Sequence, residues 1–473
     1  MRTVKGQGTL PGMPPFSPAE KKSRKKTARS PKKEPVEQPS ADPAPENDGW
    51  PPMAEMLHNV VVFEPAVHDI FPVTVLGVGA ESEDIRQMCG RLLEEADVVC
   101  AGRGLLEAVA PEAQDEERFL PLTAPVAPVV QRIGSLYAAG KRVLVLANGD
   151  PLYFGIGTAL VRSLGVEAVR VIPAVSILQL VCARMGLEWH AVASVSLHGR
   201  DNFDPLNAAA GRGVPVCALT DDLNGPDVLA KHLLERGADW FEAHIFENLG
   251  TDQEQEHHLD LAQVPGRRFA AASTTLLVPN ALVRCPYLGL AEKDLAIEGG
   301  VFTKAPVRAA ALSLLRIKPR HTVWDIGAGS GVVALEACAL AHAGRVTAVE
   351  QNAVRAVCAR ENRRRFGAAV LDVCEGRAPE CLPLLPDPDC VFIGGGLSGE
   401  DGMKILNHVW ERLPSGGRVA AACVLLDTLD LCRGFFENWG CRIVQVQASV
   451  AEPLGQGLHL AARNPVFIVA AQK

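Results

Sequence analysis

Asp325, Gly327, Gly329, Gly331 and Glu350 are the residues of this 473-residue chain whose types and spacing imply chemistry most directly. They belong to the run Val323-Trp324-Asp325-Ile326-Gly327-Ala328-Gly329-Ser330-Gly331 and to a carboxylate 25 residues beyond Asp325. Glycine lacks a Cβ, so the backbone there can turn sharply and lie against a ligand. A carboxylate about 20 residues further on, at the end of a second strand, can accept hydrogen bonds from a ribose diol. Dinucleotide-binding loops prefer G-x-G-x-x-G, whereas here the spacing is G-x-G-x-G with an acid before the first glycine. That variant favours S-adenosylmethionine (SAM) over a dinucleotide.

Strands and helices must hold those residues in place. An apolar strand over 321–326 feeds the glycines, a helical run over 332–340 follows, and strand 345–350 ends in Glu350. Seven strands can be read in this part of the chain: 321–326, 345–350, 369–375, 390–394, 417–424, 441–448 and 465–472. Helical patterns separate most of them, and a loop is expected between the last two. Gly376, Arg377 and Ala378 follow the third strand and are expected to border an adenine. Gly394, Gly395 and Gly396 end the fourth and leave room for a large flat ring, with Gly395 against it.

Upstream, a strand over 71–79 is followed by helix 83–95, strand 97–101, helix 126–139 and strand 142–147. Such alternation predicts a parallel sheet covered by helices. The loop Gly149-Asp150-Pro151-Leu152-Tyr153-Phe154-Gly155 follows the carboxyl end of a buried strand, where open α/β sheets bind ligands. Alone, G-D-P is only a good turn.

Composition bounds the rest. Nearly half of the residues are hydrophobic and 22% charged, as in a globular protein, and the length requires two or three domains. No apolar run is long enough for a membrane span, and no signal peptide is read at the start. Thirteen cysteines without a C-x-x-C pair fit reduced thiols in a cytoplasm, and no metal site is expected. His257 and His258 are adjacent, so they cannot share one metal face, and they read as a solvated polar loop. Residues 1–70 read as a disordered Pro/Lys-rich extension. Residues 1–50 carry ten Lys and Arg against six Asp and Glu, net +4, so the total of −8 leaves −12 for the remainder. A body that acidic is a poor general nucleic-acid binder, despite the basic run between Lys21 and Lys33.

The upstream motifs resemble a known family. Gly149 to Gly155 is similar to the signature loop of the tetrapyrrole methylases, SAM enzymes that methylate uroporphyrinogen and the precorrins. Ile172-Pro173-Ala174-Val175-Ser176-Ile177-Leu178-Gln179 resembles that family's P-G-V-S-S-x-Q segment. Ser196-Leu197-His198-Gly199-Arg200, Leu219-Thr220-Asp221-Asp222 and Phe246-Glu247-Asn248-Leu249-Gly250-Thr251 resemble the branch that methylates carbon 5 of the precorrin ring. Two departures stand out: the opening G-x-G-P-G appears as Gly77-Val78-Gly79-Ala80-Glu81, and the glycine of P-G-V-S is Ala174. The resemblance implies a two-lobed domain over 71–280 holding SAM through Gly149, Asp150, Leu152, Ser176 and Thr220. It also implies a polycarboxylate substrate, for which His198 and Arg200 form the cationic pair of a strand-end motif.

The downstream region resembles the class I methyltransferases, whose seven-stranded Rossmann-like sheet it shares. Phe302-Thr303-Lys304-Ala305-Pro306-Val307-Arg308, the 323–331 run, Glu375-Gly376-Arg377-Ala378-Pro379, Phe392-Ile393-Gly394-Gly395-Gly396 and Asn464-Pro465-Val466-Phe467-Ile468 are similar to the decarboxylating subunit that methylates carbon 15. The domain is expected over 296–473, after a linker at 281–295. Thr303, Lys304 and Arg308 lie before the first strand, in a segment that often lids the substrate, and are expected to bind it. Lys304 and Arg308 are one helical turn apart and so can face one way.

Taken together, the resemblances imply an α/β enzyme with two SAM sites per chain. It would methylate a precorrin or cobalt-precorrin at carbons 5 and 15 and decarboxylate the ring C acetate, in cobalamin biosynthesis. No general base is identified, because SAM carries its own leaving group and the reaction needs alignment more than a base. A homo-oligomer in the cytoplasm is expected, without nucleic-acid or membrane partners. Two other readings remain open at this level: fused methylase domains acting on RNA or protein, and a chain whose first site has decayed at Ala80 and Ala174.

Overall fold

The computed structural model describes residues 73–79, 85–109, 118–300 and 302–473. The N-terminal extension with its basic run, and the Ala80-Glu81 departure, lie outside the described residues. Three sheets organise the chain. The first contains β1 (Val73–Val78), β2 (Val98–Ala101), β3 (Phe119–Pro121), β4 (Val143–Asn148) and β5 (Val169–Ile172), in the order β3-β2-β4-β1-β5. All its pairings are parallel. β1 and β4 are apolar on both faces because helices cover both sides of such a sheet, and Val73, Val75, Val143 and Val145 are fully enclosed.

The second sheet contains β6 (Ala193–Ser196), β7 (Val216–Leu219), β8 (Phe241–Glu247), β9 (Gln255–Asp260) and β10 (Ser273–Pro279), in the order β6-β7-β10-β8-β9. Only β6–β7 is parallel. The two adjacent histidines therefore lie in an edge strand rather than a loop. Alternation sends them to opposite faces, His257 towards Glu247 and His258 towards Glu242.

The third sheet contains β11 (Thr322–Ile326), β12 (Arg345–Glu350), β13 (Leu371–Glu375), β14 (Cys390–Ile393), β15 (Arg418–Cys423), β16 (Arg442–Val446) and, at the end of the chain, Val466–Gln472. Between the last two strands the expected loop is instead a two-stranded hairpin of β17 (Ser449–Leu454) and β18 (Gly457–Ala462), so Val466–Gln472 is β19. The order is β13-β12-β11-β14-β15-β19-β16, with β19 antiparallel to both neighbours. The strand order reverses between β11 and β14, which opens a crevice at their carboxyl ends.

Helices complete the layers. In chain order those used below are α1 (Ile177–Met185), α2 (Pro226–Glu235), α3 (Ala305–Leu315), α4 (Val332–Leu340) and α5 (Ala353–Arg365). α4 is buried on nearly every side, which its run of Val, Ala and Leu permits. Its one charged residue, Glu336, then requires a partner, and Arg308 of α3 supplies it at 2.8 Å. The stretch 281–295 is not a loose tether: Leu290 and Leu295 pack into the core of the third sheet's domain.

The second and third sheets are tied together by side chains. Arg236, just past α2, donates to the carbonyls of Ala369 (2.7 Å) and Leu371 (3.3 Å) and to Asp372 (2.6 Å) at the start of β13. In return Arg363 of α5 donates to the carbonyl of Glu235 at 2.6 Å. Arg345 pairs with Asp204, and Arg364 with Asp239, each at 2.8 Å. Ala369 packs within the apolar core of the second sheet's lobe. Burial and the neighbouring Arg236 charge pull Arg363 down to about 10. Among the described residues no helix is long and apolar enough to cross a membrane.

Candidate active sites

The carboxyl ends of β11, β12, β14 and β15 surround a cavity of about 820 Å³. That is at the upper end of the roughly 300–1,000 Å³ typical of small-molecule sites. Gly327, Gly329 and Glu350 line its floor. Gly327 adopts φ +70°, and a Cβ there would sit 2.7 Å from Gly395, so the β11 and β14 turns meet this closely because residue 327 is glycine. Glu350 is held rigidly: one carboxylate oxygen accepts from the Gly329 amide at 2.7 Å, the other from Asn352 at 2.9 Å. Each oxygen keeps a free lone pair, which a sugar hydroxyl can use.

Asp325 lies beneath this floor rather than in it. It is 1% exposed; one oxygen accepts from the Ala334 amide at 2.9 Å, while the other is buried without a partner. Burial, reinforced by the Glu350 charge, pushes its carboxyl up to about 7. Gly331 is likewise displaced from the expected role. It caps α4 at φ +73°, where a Cβ would strike that of Ala359 at 2.9 Å, so this glycine serves helix packing and does not line the cavity.

Gly376, Arg377, Ala378 and Gly395 line the walls, together with Thr303 and Lys304. The Lys304 ammonium lies 3.6 Å from the Phe302 ring centre and 3.5 Å from Glu292. Arg308 does not join it. Its guanidinium is completely buried, bonded to Glu336 and to the carbonyls of Thr303 and Leu290, each at 2.8 Å. The expectation that Arg308 binds substrate is corrected: α3 turns it inward, and it fixes the backbone that carries Thr303 and Lys304. Two other cations reach the cavity unanticipated, Arg355 from α5 and Arg463 beyond β18, and Asn464 accompanies the latter. The N-P-V-F-I segment marked the second; for Arg355, one turn past Glu350, charge and position were the only signal.

In the first two lobes, the predicted cofactor residues sit at the ends of β4, β5 and β7. The Gly149 amide donates to Val78 at 2.7 Å, which brings the β4 loop against β1. Asp150 accepts from the Leu152 amide at 2.8 Å. Ser176 caps α1 in a reciprocal capping box with Gln179. The Thr220 hydroxyl donates to the Ser273 carbonyl at 2.8 Å. These side chains are occupied locally, so a ligand here meets mainly backbone. Phe154 takes φ 55°, a strained value for an aromatic residue, and the Arg200 guanidinium lies 6.0 Å from its ring centre. Arg200 thus borders the β4 loop from the other lobe, and it and His198 flank a Gly199 turn rather than end a strand. Asp221 organises that turn through the Gly199 amide at 2.6 Å. Burial works against its charge, but the amides of Gly199, Asn224 and Leu223 hold its carboxyl below the usual range.

Two family descriptions match the chain in tandem: "Tetrapyrrole (Corrin/Porphyrin) Methylases" over residues 72–265 and "Precorrin methyltransferase domain" over 295–473. A precorrin-6Y C(5,15)-methyltransferase [decarboxylating] from Sinorhizobium sp is 32% identical over 408 residues, covering 83% of this chain and 94% of that protein. The chain belongs to the precorrin-6Y C5,15-methyltransferase (decarboxylating) family. It is therefore a SAM-dependent methyltransferase of the tetrapyrrole methylase type joined to a precorrin methyltransferase domain. A cobalt-precorrin-6B C(15)-methyltransferase (decarboxylating) from Salmonella typhimurium is 36% identical over 174 residues, covering 36% of this chain and 88% of that one. A solved precorrin-6y C5,15-methyltransferase from Geobacter metallireducens is 37% identical and matches with a TM-score of 0.38, over 40% of this chain and all of that one.

Proposed function

We propose that this chain methylates a precorrin ring at carbon 5 in the domain of residues 71–280 and at carbon 15 in that of 296–473, where it also removes the ring C acetate carboxyl. Linker 281–295 joins them, and each domain binds its own SAM. One observation carries the reading of the second domain: a single cavity joins a glycine floor and fixed carboxylate to a rim of cationic side chains.

The residues present fit SAM. Glu350 would accept from the ribose, the Gly327–Gly329 backbone would support the methionine, and Gly376, Arg377 and Ala378 would border the adenine. SAM supplies a methyl group activated by its sulfonium. The chain's own task is alignment and exclusion of water. Lys304, Arg355, Arg377 and Arg463 are already paired, with Glu292, Glu298, Asp401 and Glu452 respectively. Propionate and acetate carboxylates of the substrate would exchange with those acids, so a polyanion is gripped without leaving bare charges in its absence. Gly395 leaves room for the flat ring. Phe302, Val424, Val446 and Val450 supply the apolar wall against which the reacting acetate loses water. Carbon dioxide leaves, the bonding electrons pass into the ring π-system, and a proton completes the new methyl.

In the first domain, backbone at Gly149, Asp150, Leu152, Ser176 and Thr220 holds SAM, while His198 and Arg200 meet ring carboxylates. We read the working protein as a cytoplasmic homo-oligomer. The described cysteines are all free, and Leu454, Leu458 and Leu460 stand exposed on the β17–β18 hairpin, as residues of a subunit contact do. Incubation with SAM and precorrin-6Y, followed by mass spectrometry, tests the assignment. Two methyl gains and one lost carbon dioxide are expected, with two SAM bound per chain by calorimetry. One methyl gain with one SAM bound would refute the two-site reading.

A further inference from the structure

β8 and β9 pair in antiparallel register, with His244 directly opposite His258 and Glu242 opposite Asp260. Glu242 and His244, two residues apart, share a face of β8, and His258 faces them from β9. One ligating atom from each of these three side chains lies within 4.8 Å of the other two. The imidazoles are stacked, ring centres 4.2 Å apart and planes 16° from parallel. His244 is only 7% exposed, yet its Nδ1 has no hydrogen-bond partner. A buried ring nitrogen left without a partner is costly, and a second imidazole against its face gives it none. The opposite face of the strand pair shows no such vacancy, since His257 pairs with Glu247 at 2.8 Å.

We propose that Glu242, His244 and His258 form a cross-strand site for a divalent transition-metal ion of the zinc or cobalt(II) class, which clips edge strand β9 to β8. Two imidazoles and one carboxylate are a ligand set suited to such ions and leave a fourth position for water. Glu256 and Asp260 lie on the same face of β9 and add negative charge around the ion. Nothing in the methyl-transfer reading requires this site, so its test stands apart from that reading.

The tag-free full chain, stripped with chelator, would be titrated with Co²⁺. One ion per chain is expected, with visible absorption but without the thiolate-to-cobalt charge-transfer band that any of the cysteines would produce. Glu242→Gln and His258→Gln, at accessible positions, should each weaken uptake by at least about tenfold, while His257→Gln leaves it unchanged. His244→Gln should abolish it, and if that buried variant does not fold, the two accessible variants decide. Loading should slow hydrogen exchange of the β9 amides. The proposal is overturned by absent uptake, by a thiolate band, by undiminished binding in Glu242→Gln and His258→Gln, or by an ion that instead joins two chains into a dimer.

Discussion

Replacing Asp325 with Asn should make the ligand-free second domain more stable as pH rises. The Asp325 carboxyl is buried, has one unpartnered oxygen, and is pushed up to about 7. The folded chain therefore holds this proton to higher pH than the unfolded chain does, where a carboxyl titrates near 3.9. Ionisation then favours unfolding: the group costs nothing well below about pH 4, and its cost grows until about pH 7, where it levels. The slope is about 1.4 kcal/mol per pH step, or roughly 4 kcal/mol across the window. Asn keeps an oxygen for the Ala334 amide but buries an NH2 in place of the unpartnered oxygen, a loss of about 1–3 kcal/mol at every pH. The variant's relative stability should thus improve by about 2 kcal/mol between about pH 5.5 and pH 7. At about 2–4 °C per kcal/mol for a domain of this size, the difference in melting temperature should move by roughly 4–8 °C in favour of Asn. Calorimetric melts of both proteins across that range would measure it. Parallel curves would refute the buried, protonated Asp325 on which the reasoning rests.

Other substitutions separate the sites. Glu350→Gln turns an NH2 towards either the Gly329 or the Asn352 amide, so SAM binding in the second domain should fall by more than about tenfold, or 1.4 kcal/mol; isotope-labelled methyl transfer should show carbon 15 silent and carbon 5 intact. Arg308→Gln strands Glu336 in the core and should destabilise the second domain by about 3–5 kcal/mol; chemical denaturation would show this, and Arg308→Leu with Glu336→Leu should recover much of the loss. Arg463→Gln should raise the KM for precorrin in the carbon-15 reaction with SAM affinity unchanged, whereas Arg200→Gln should do so only for carbon 5. Steady-state kinetics at two salt concentrations would check both, because screening should shrink each effect.

Strand positions in the second domain were legible because each is a short apolar run bounded by turn residues, and Gly327 and Glu350 because their spacing has a mechanical reason. The β17–β18 hairpin was not. Its residues are exposed on both faces, Pro453 interrupts β17, and in β18 the apolar alternation is confined to Leu458 and Leu460, too short to announce a strand. The same holds for Gln255–Asp260, whose strand character comes from pairing with β8 rather than from its own pattern. Arg308 was misread because its burial depends on Glu336, 28 residues away in sequence and adjacent only after folding. Ser176 and Thr220 were legible as positions, but their hydroxyls prove to be committed to Gln179 and Ser273. A sequence shows which groups are polar, not which are already spoken for.

The cross-domain grip of Arg236 on Ala369, Leu371 and Asp372 makes the covalent joint a question of concentration. Within one chain, the segment at 281–295 keeps the two halves at a millimolar-scale effective concentration, so the contact closes without any search. Cut there, each half would carry an unmatched charge, Arg236 on one side and Asp372 on the other, and Ala369 would lose its apolar seat. Reassembly would then depend on how much of each half is present, and dilution would loosen a pairing that dilution cannot loosen now. The chain thus fixes the ratio of its two methylating domains at one to one, whatever its abundance in the cell.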